Sequence, residues 1–154
     1  MTKPTLYQRK LAAKKQAQKV DAKVRRRASR EFNSQVLTLR IKLLDAQDGA
    51  DATELLACLA VVIGTPCEAG ARQFGHTPAW VRQLHGAMRS IMGMCEQGYR
   101  WDSTAALALS RAVELAAEER PELDAATFAE SWVEANGLSV QILNHSVTPD
   151  AIAA

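Results

Sequence analysis

Between Thr5 and Ala46 the chain contains no glycine and no proline, and this constrains its fold more than any other feature. Within that stretch Ala17, Val20, Val24, Ala28, Phe32 and Val36 recur at three- and four-residue steps, the spacing of one face of an α-helix. Thr5 and Gln8 stand at capping-box spacing at its start. The pattern predicts one helix of up to ~40 residues, about 60 Å long if unbroken. Its first half has a thin stripe of Ala and Val that would bury little. Its second half carries Phe32, Val36, Leu37, Leu39, Ile41, Leu43 and Leu44, enough to dock on a core.

Charge divides the chain at the same place. The formal net charge of +2 conceals two opposite regions. Residues 1–31 hold eleven Lys and Arg against Asp21 and Glu31, a balance of +9, and residues 32–154 hold eight against fifteen acids, a balance of −7. The expected organisation is a basic N-terminal helical arm (1–31), an α-helical body (32–144) and a tail (145–154). A chain of 154 residues can bury a core large enough to fold without staples. Cys58, Cys67 and Cys95 are odd in number and widely spaced, which points to free thiols in a reducing cytoplasm. The longest apolar run, Leu55–Ile63, is about half of what a membrane span needs, and no apolar segment follows the first basic residues as in a secretory signal. No membrane partner is expected.

The body divides at its helix signals. Asp51-Ala-Thr-Glu54 reads as a start, Glu54–Ile63 as a central helix apolar on nearly all sides, and Gly64-Thr65-Pro66 as its stop. Thr65 and Glu68 make a second capping box for a short helix through Phe74, with Pro66 at its first position. After Gly75-His76-Thr77-Pro78, with Thr77 as cap, Trp80, Val81, Leu84, Met88, Ile91, Met92 and Cys95 share one helical face, and Gly98 closes that helix. Tyr99–Ser103 forms a corner whose aromatics wedge against the body. Asp102 or Ser103 caps a helix to about Glu119, with Leu107, Leu109, Val113 and Leu115 inward and Glu114, Glu118 and Glu119 outward. Asp124 caps a last helix burying Phe128, Trp132 and Val133 and ending at Asn136-Gly137, while Leu138–Asn144 fits either a strand or a helical turn. The expected fold is all-α: a single-domain bundle of about six helices from which a long basic N-terminal helix projects.

Two constellations bear on function. Arg9, Lys10, Lys14, Lys15, Lys19, Lys23, Arg25, Arg26, Arg27 and Arg30 spread around a helix instead of lining one stripe, a distribution suited to the groove of a polyanion. A solvated charge run is the plainer alternative. In the body, Glu68-Ala-Gly-Ala71-Arg-Gln-Phe74-Gly75-His-Thr77-Pro-Ala-Trp-Val81-Arg-Gln-Leu84 resembles a helix-turn-helix. Ala71 takes the place of the small residue at the helix crossing, Phe74 anchors the first helix and Gly75 makes the turn. The helix Glu54–Ile63 supplies the third member. The resemblance covers residues 68–84 and implies DNA binding, with Thr77, Arg82 and Gln83 placed to meet bases. An ordinary helix–Gly–helix corner of a bundle fits the same residues.

Catalytic signals are missing. Cys67, His76, His85 and Cys95 are eight or nine residues apart, not in the closely spaced pairs of zinc sites, and no phosphate loop or nucleophile elbow occurs. No enzyme activity, metal or cofactor is expected. The expected function is a small non-enzymatic, nucleic-acid-associated binding or regulatory protein. The alternative is an inhibitor or adaptor of the phage or plasmid accessory type, which binds a host protein or nucleoprotein complex through the basic arm, set in an acidic groove, and a helix face. Composition leaves the oligomeric state open.

Overall fold

The computed structural model describes residue 3 and residues 5–148, with the side chains of these apart from 13–21. In chain order the elements are α1 (Leu6–Asp45), α2 (Thr53–Phe74), α3 (Ala79–Glu96), a 3-10 turn (Ser103–Ala105), α4 (Ala106–Glu119), a second 3-10 turn (Arg120–Glu122) and α5 (Ala125–Leu143). Among the described residues all regular structure is helical. Their one extended pairing is an isolated antiparallel bridge between Asp51 and Arg100.

α2 is the centre of the bundle, packed mainly against α5 and α3 and also touching α1 and α4. Leu56, Leu59, Val62 and Ile63 are completely buried there. The expected stop at Gly64-Thr65-Pro66 does not occur, since all three lie buried inside one continuous helix. A proline inside a helix forfeits the bond to the carbonyl four residues back, at a cost of ~3 kcal/mol. Burying a single Leu or Ile contributes about 1.5–3 kcal/mol, so the packed run around Pro66 outweighs that loss. Thr65 is not a cap: its hydroxyl is buried without a protein partner. Length and composition would suit α2 to a membrane, yet 72 % of its most apolar window is buried inside the bundle.

α5 likewise continues through Asn136-Gly137 to Leu143, so Leu138–Asn144 is helical up to its cap at Asn144. Asp124 caps α5 as expected, its Oδ2 accepting from the Thr127 N–H at 3.0 Å. Asp102 does the same for the first 3-10 turn, accepting from the Thr104 N–H at 3.0 Å. Val133 and Leu107 face solvent, contrary to the inward positions expected of them. At one end of the bundle the α1–α2 and α3–α4 connections are laced together. The Gly49 N–H donates to the Trp101 carbonyl, Trp101 to Ala50 and Ala52 to Tyr99, each at 2.8 Å. Trp101 is buried beneath them. His145, within the expected tail, stacks on Tyr99 with ring centroids 3.8 Å apart. Residues 149–154 of that tail lie outside the described residues.

Candidate polyanion-binding surface

The surface starts at the Thr5–Gln8 capping box, where the Gln8 N–H donates to Thr5 Oγ1 at 3.2 Å and the Thr5 N–H to Gln8 Oε1 at 2.9 Å. Of the ten cations singled out, Arg9, Lys10, Lys23, Arg25, Arg26, Arg27 and Arg30 are exposed. Lys14, Lys15 and Lys19 fall where side chains lie outside the described residues. Among the described side chains only Arg27 of this set has an ion pair, with Glu31 at 2.9 Å one helical turn on. The Arg26 Nε–H donates to the Ala22 carbonyl at 3.4 Å. An exposed i,i+4 pair of the Arg27–Glu31 kind contributes little to stability.

The other half of α1 packs on the bundle. Ala28, Phe32, Val36 and Leu39 are buried along one face of α1. Phe32 meets Phe128 of α5 edge to face, with centroids 5.3 Å apart. The Arg120 guanidinium lies 5.7 Å from the Phe32 ring and 5.1 Å from Phe128, and it donates to the Ser29 hydroxyl. This aromatic–cation cluster sits where the run of arm cations ends at Arg30. Farther along, Arg40 grips Glu114 of α4 with two parallel hydrogen bonds of 2.7 and 2.9 Å. The Arg40 bond holds the Glu114 carboxyl below the usual range. One outward acid of α4 is thus spent inside the fold.

The α2–α3 corner differs in detail from the expected motif. Gly75 has φ +71 and its N–H donates to the Ala71 carbonyl at 2.9 Å, as a left-handed turn residue should. The small residue at the crossing is Gly70, not Ala71. A Cβ on Gly70 would lie 2.8 Å from Trp80 Cζ3 and 3.0 Å from Val81 Cγ2. Thr77 does not cap α3: the N-cap is Pro78, with no side-chain cap bond. The Thr77 carbonyl instead accepts from Arg82 Nη1 at 3.0 Å. Phe74 is half exposed and meets Trp80 edge to face. Since α2 runs unbroken from Thr53, the expected third helix of the motif and its first helix are one rod. Arg82 and Gln83 are exposed on the first turn of α3, and Arg89, two turns on from Arg82, continues the same face. Arg89 is absent from the candidates read from the sequence, although its seven-residue spacing from Arg82 is a signal that could have found it.

A cleft of about 470 Å³ between α2, α3 and α5 is lined by Cys67, Arg72, His76, His85, Ser131 and Glu134, among others. The helix crossing gathers there three of the residues weighed as metal ligands. The His76 and His85 rings are 6.0 Å apart, and among the described residues no three His, Cys, Asp or Glu are grouped to hold an ion. Burial pushes the Cys67 thiol up to about 12 and Cys95 to about 11, so neither is a ready thiolate. Arg72 ties the cleft's edge together, pairing with Glu68 at 3.2 Å, Glu130 at 3.7 Å and Glu134. Comparison of the chain with protein-family models, with curated proteins and with solved structures finds no match.

Proposed function

We propose that this chain is a small, non-enzymatic, nucleic-acid-associated binding protein, in which the basic half of α1 projects from the bundle as an electrostatic arm. The supporting observation is the coincidence of two boundaries. The excess of +9 lies in residues 1–31, and the first buried side chain described on α1 is Ala28. Arg9, Lys10 and Lys23 therefore precede the part of α1 that packs on the core, Arg25, Arg26, Arg27 and Arg30 flank its beginning at Val24 and Ala28, and Phe32, Arg120 and the Arg40–Glu114 pair would fix the direction from which they approach a target. Phosphate contacts of this type supply affinity without sequence preference, through release of condensed counterions. The exposed start of α3, with Arg82 and Gln83, is the place from which bases would be met, and the Thr77 carbonyl accepts from the Arg82 guanidinium there.

The test is fluorescence anisotropy with labelled duplex DNA and with RNA at about 50 mM salt. Truncation at residue 30 would also remove Ala28 from the core, so substitution is the cleaner variant. Replacing Arg9, Lys10, Lys23, Arg25, Arg26 and Arg30 by Gln should weaken binding by roughly 100-fold or more while the far-ultraviolet circular dichroism is retained. Unchanged affinity would refute the reading. Arg82→Ala with Gln83→Ala should alter the preference among duplex sequences more than bulk affinity, and uniform weakening across sequences would remove base reading from the proposal.

A further inference from the structure

Where α2 packs on α3 and α5, small side chains keep the cleft of about 470 Å³ open. Ala60, Gly64 and Ala71 line it from α2 and Ala135 from α5, and a Cβ on Gly64 would lie only 3.2 Å from Met88 Cε. Its volume is that of a small-molecule site, ~300–1,000 Å³. The walls are largely apolar, with polar groups at the inner end and at the mouth.

Ser131 is the polar group at the inner end. It lies on one face of α5 with Glu134, Ala135 and Leu138, at i, i+3, i+4 and i+7, and all four line the cleft, so its side chain is directed there. Ser131 is completely buried and its hydroxyl has no protein partner. A buried hydroxyl left unpaired is destabilising, and this one is placed to bond a polar atom that enters the cleft.

The mouth is acidic. Arg72 is a single guanidinium among the carboxylates of Glu68, Glu130 and Glu134. It takes Oε1 of Glu68 and Oε1 of Glu134, which leaves Oε2 of each to another donor. Burial holds the His85 imidazole below its ordinary value, so it adds no positive charge near neutrality. Even with Arg89, one turn beyond His85, these acids outnumber the cations.

We propose that the cleft binds a small organic amine. Its ammonium donates to Glu68 and Glu134, its apolar body lies against Ala60, Ala71 and Met88, and a hydroxyl or carbonyl at its far end bonds Ser131. An anion of the same shape meets the carboxylates and is rejected. The lining residues belong to α2, α3, α5 and the α2–α3 turn, so this binding is independent of the basic arm of α1.

Isothermal titration calorimetry of the full chain at about pH 7 tests the site with three matched probes. These are tyramine, phenethylamine, which lacks the inner hydroxyl, and 3-(4-hydroxyphenyl)propionate, which has a carboxylate in place of the amine. Tyramine should bind with a Kd below about 1 mM, phenethylamine roughly 3–10-fold more weakly, and the carboxylate not measurably at ~10 mM. Ser131→Ala should erase the difference between the two amines without lowering the urea midpoint, because it removes an unpaired buried hydroxyl. Ala71→Leu, which fills the cleft from a half-buried position, should abolish binding of both amines. Glu68→Gln, at an exposed position, should weaken both by roughly 5-fold or more with circular dichroism retained. Absence of binding by either amine, a carboxylate that binds as tightly as tyramine, or a preference for tyramine that survives Ser131→Ala would each overturn the proposal.

Discussion

In α1, forty residues carry neither glycine nor proline and the first buried side chain described is Ala28, whereas α2 buries Gly64, Thr65 and Pro66 in its middle and stays helical through them. Local sequence supports the first helix: strong helix formers, no breaker and a capping box. Tertiary packing supports the second against its local sequence, because apolar residues on nearly every side of α2 leave no cheaper way to bury it. The two therefore respond to different perturbations. α2 should be sensitive to volume and indifferent to charge, and the basic half of α1 the reverse.

The largest expected effect follows from that contrast. Leu59→Ala in the centre of α2 should lower the urea-unfolding free energy by about 3 kcal/mol, through lost burial and a residual cavity. Leu11→Ala on α1 should change it by less than ~0.5 kcal/mol. Equal losses at the two positions would remove the distinction. Next is Gly70→Ala. Alanine favours helix over glycine by ~1 kcal/mol, but here its methyl meets Trp80 and Val81, and a net loss of about 1–2 kcal/mol is expected in the same measurement. Gly86→Ala, which faces open space in α3, should instead stabilise by roughly 0.5–1 kcal/mol. The same substitution is thus predicted to take opposite signs at the two sites.

The pH profile gives a smaller effect. Hydrogen bonds from Thr53, Thr104 and Thr127 hold the carboxyls of Asp51, Asp102 and Asp124 below their ordinary values, and Arg40 does so for Glu114. A depressed carboxyl contributes stability that is fully present above its unfolded value and is lost as pH falls through its folded value. Thermal midpoints should therefore decline below about pH 4, after a slight decline already below about pH 6.5, because burial holds His85 below its ordinary value and disfavours its protonation in the fold. The smallest effect is on the arm itself: the six-fold Gln variant should leave the urea midpoint nearly unchanged, because the charges it removes are exposed.

The same contrast explains what is legible in the sequence. The helical class, the caps at Thr5, Asp102 and Asp124, and the buried faces of α1 and α3 rest on local signals of spacing and hydrogen bonding. The continuity of α2 does not, since Gly64-Thr65-Pro66 carries every mark of a stop and is overruled by neighbours distant in sequence. Gly70 reads locally as a poor helix former, yet its missing side chain is what admits Trp80. Seven apolar residues between Phe32 and Leu44 read as one docking face. A helix cannot bury all of them on one side, and Leu37, Ile41 and Leu44 are the surplus left exposed. Of the candidate binding residues, Arg82 and Gln83 are on the surface where their spacing places them, while Thr77 offers a carbonyl to Arg82 in place of a cap.

The basic half of α1 is proposed to be an electrostatic arm for an external polyanion. Its most direct test is the affinity of the intact protein for a duplex of about 20 base pairs, measured from about 50 to 200 mM salt. A slope of log affinity against log salt steeper than about −4 is predicted, falling toward zero in the six-fold Gln variant, since each neutralised phosphate contributes roughly −0.9. A flat salt response of the intact protein would rule out that role for the arm.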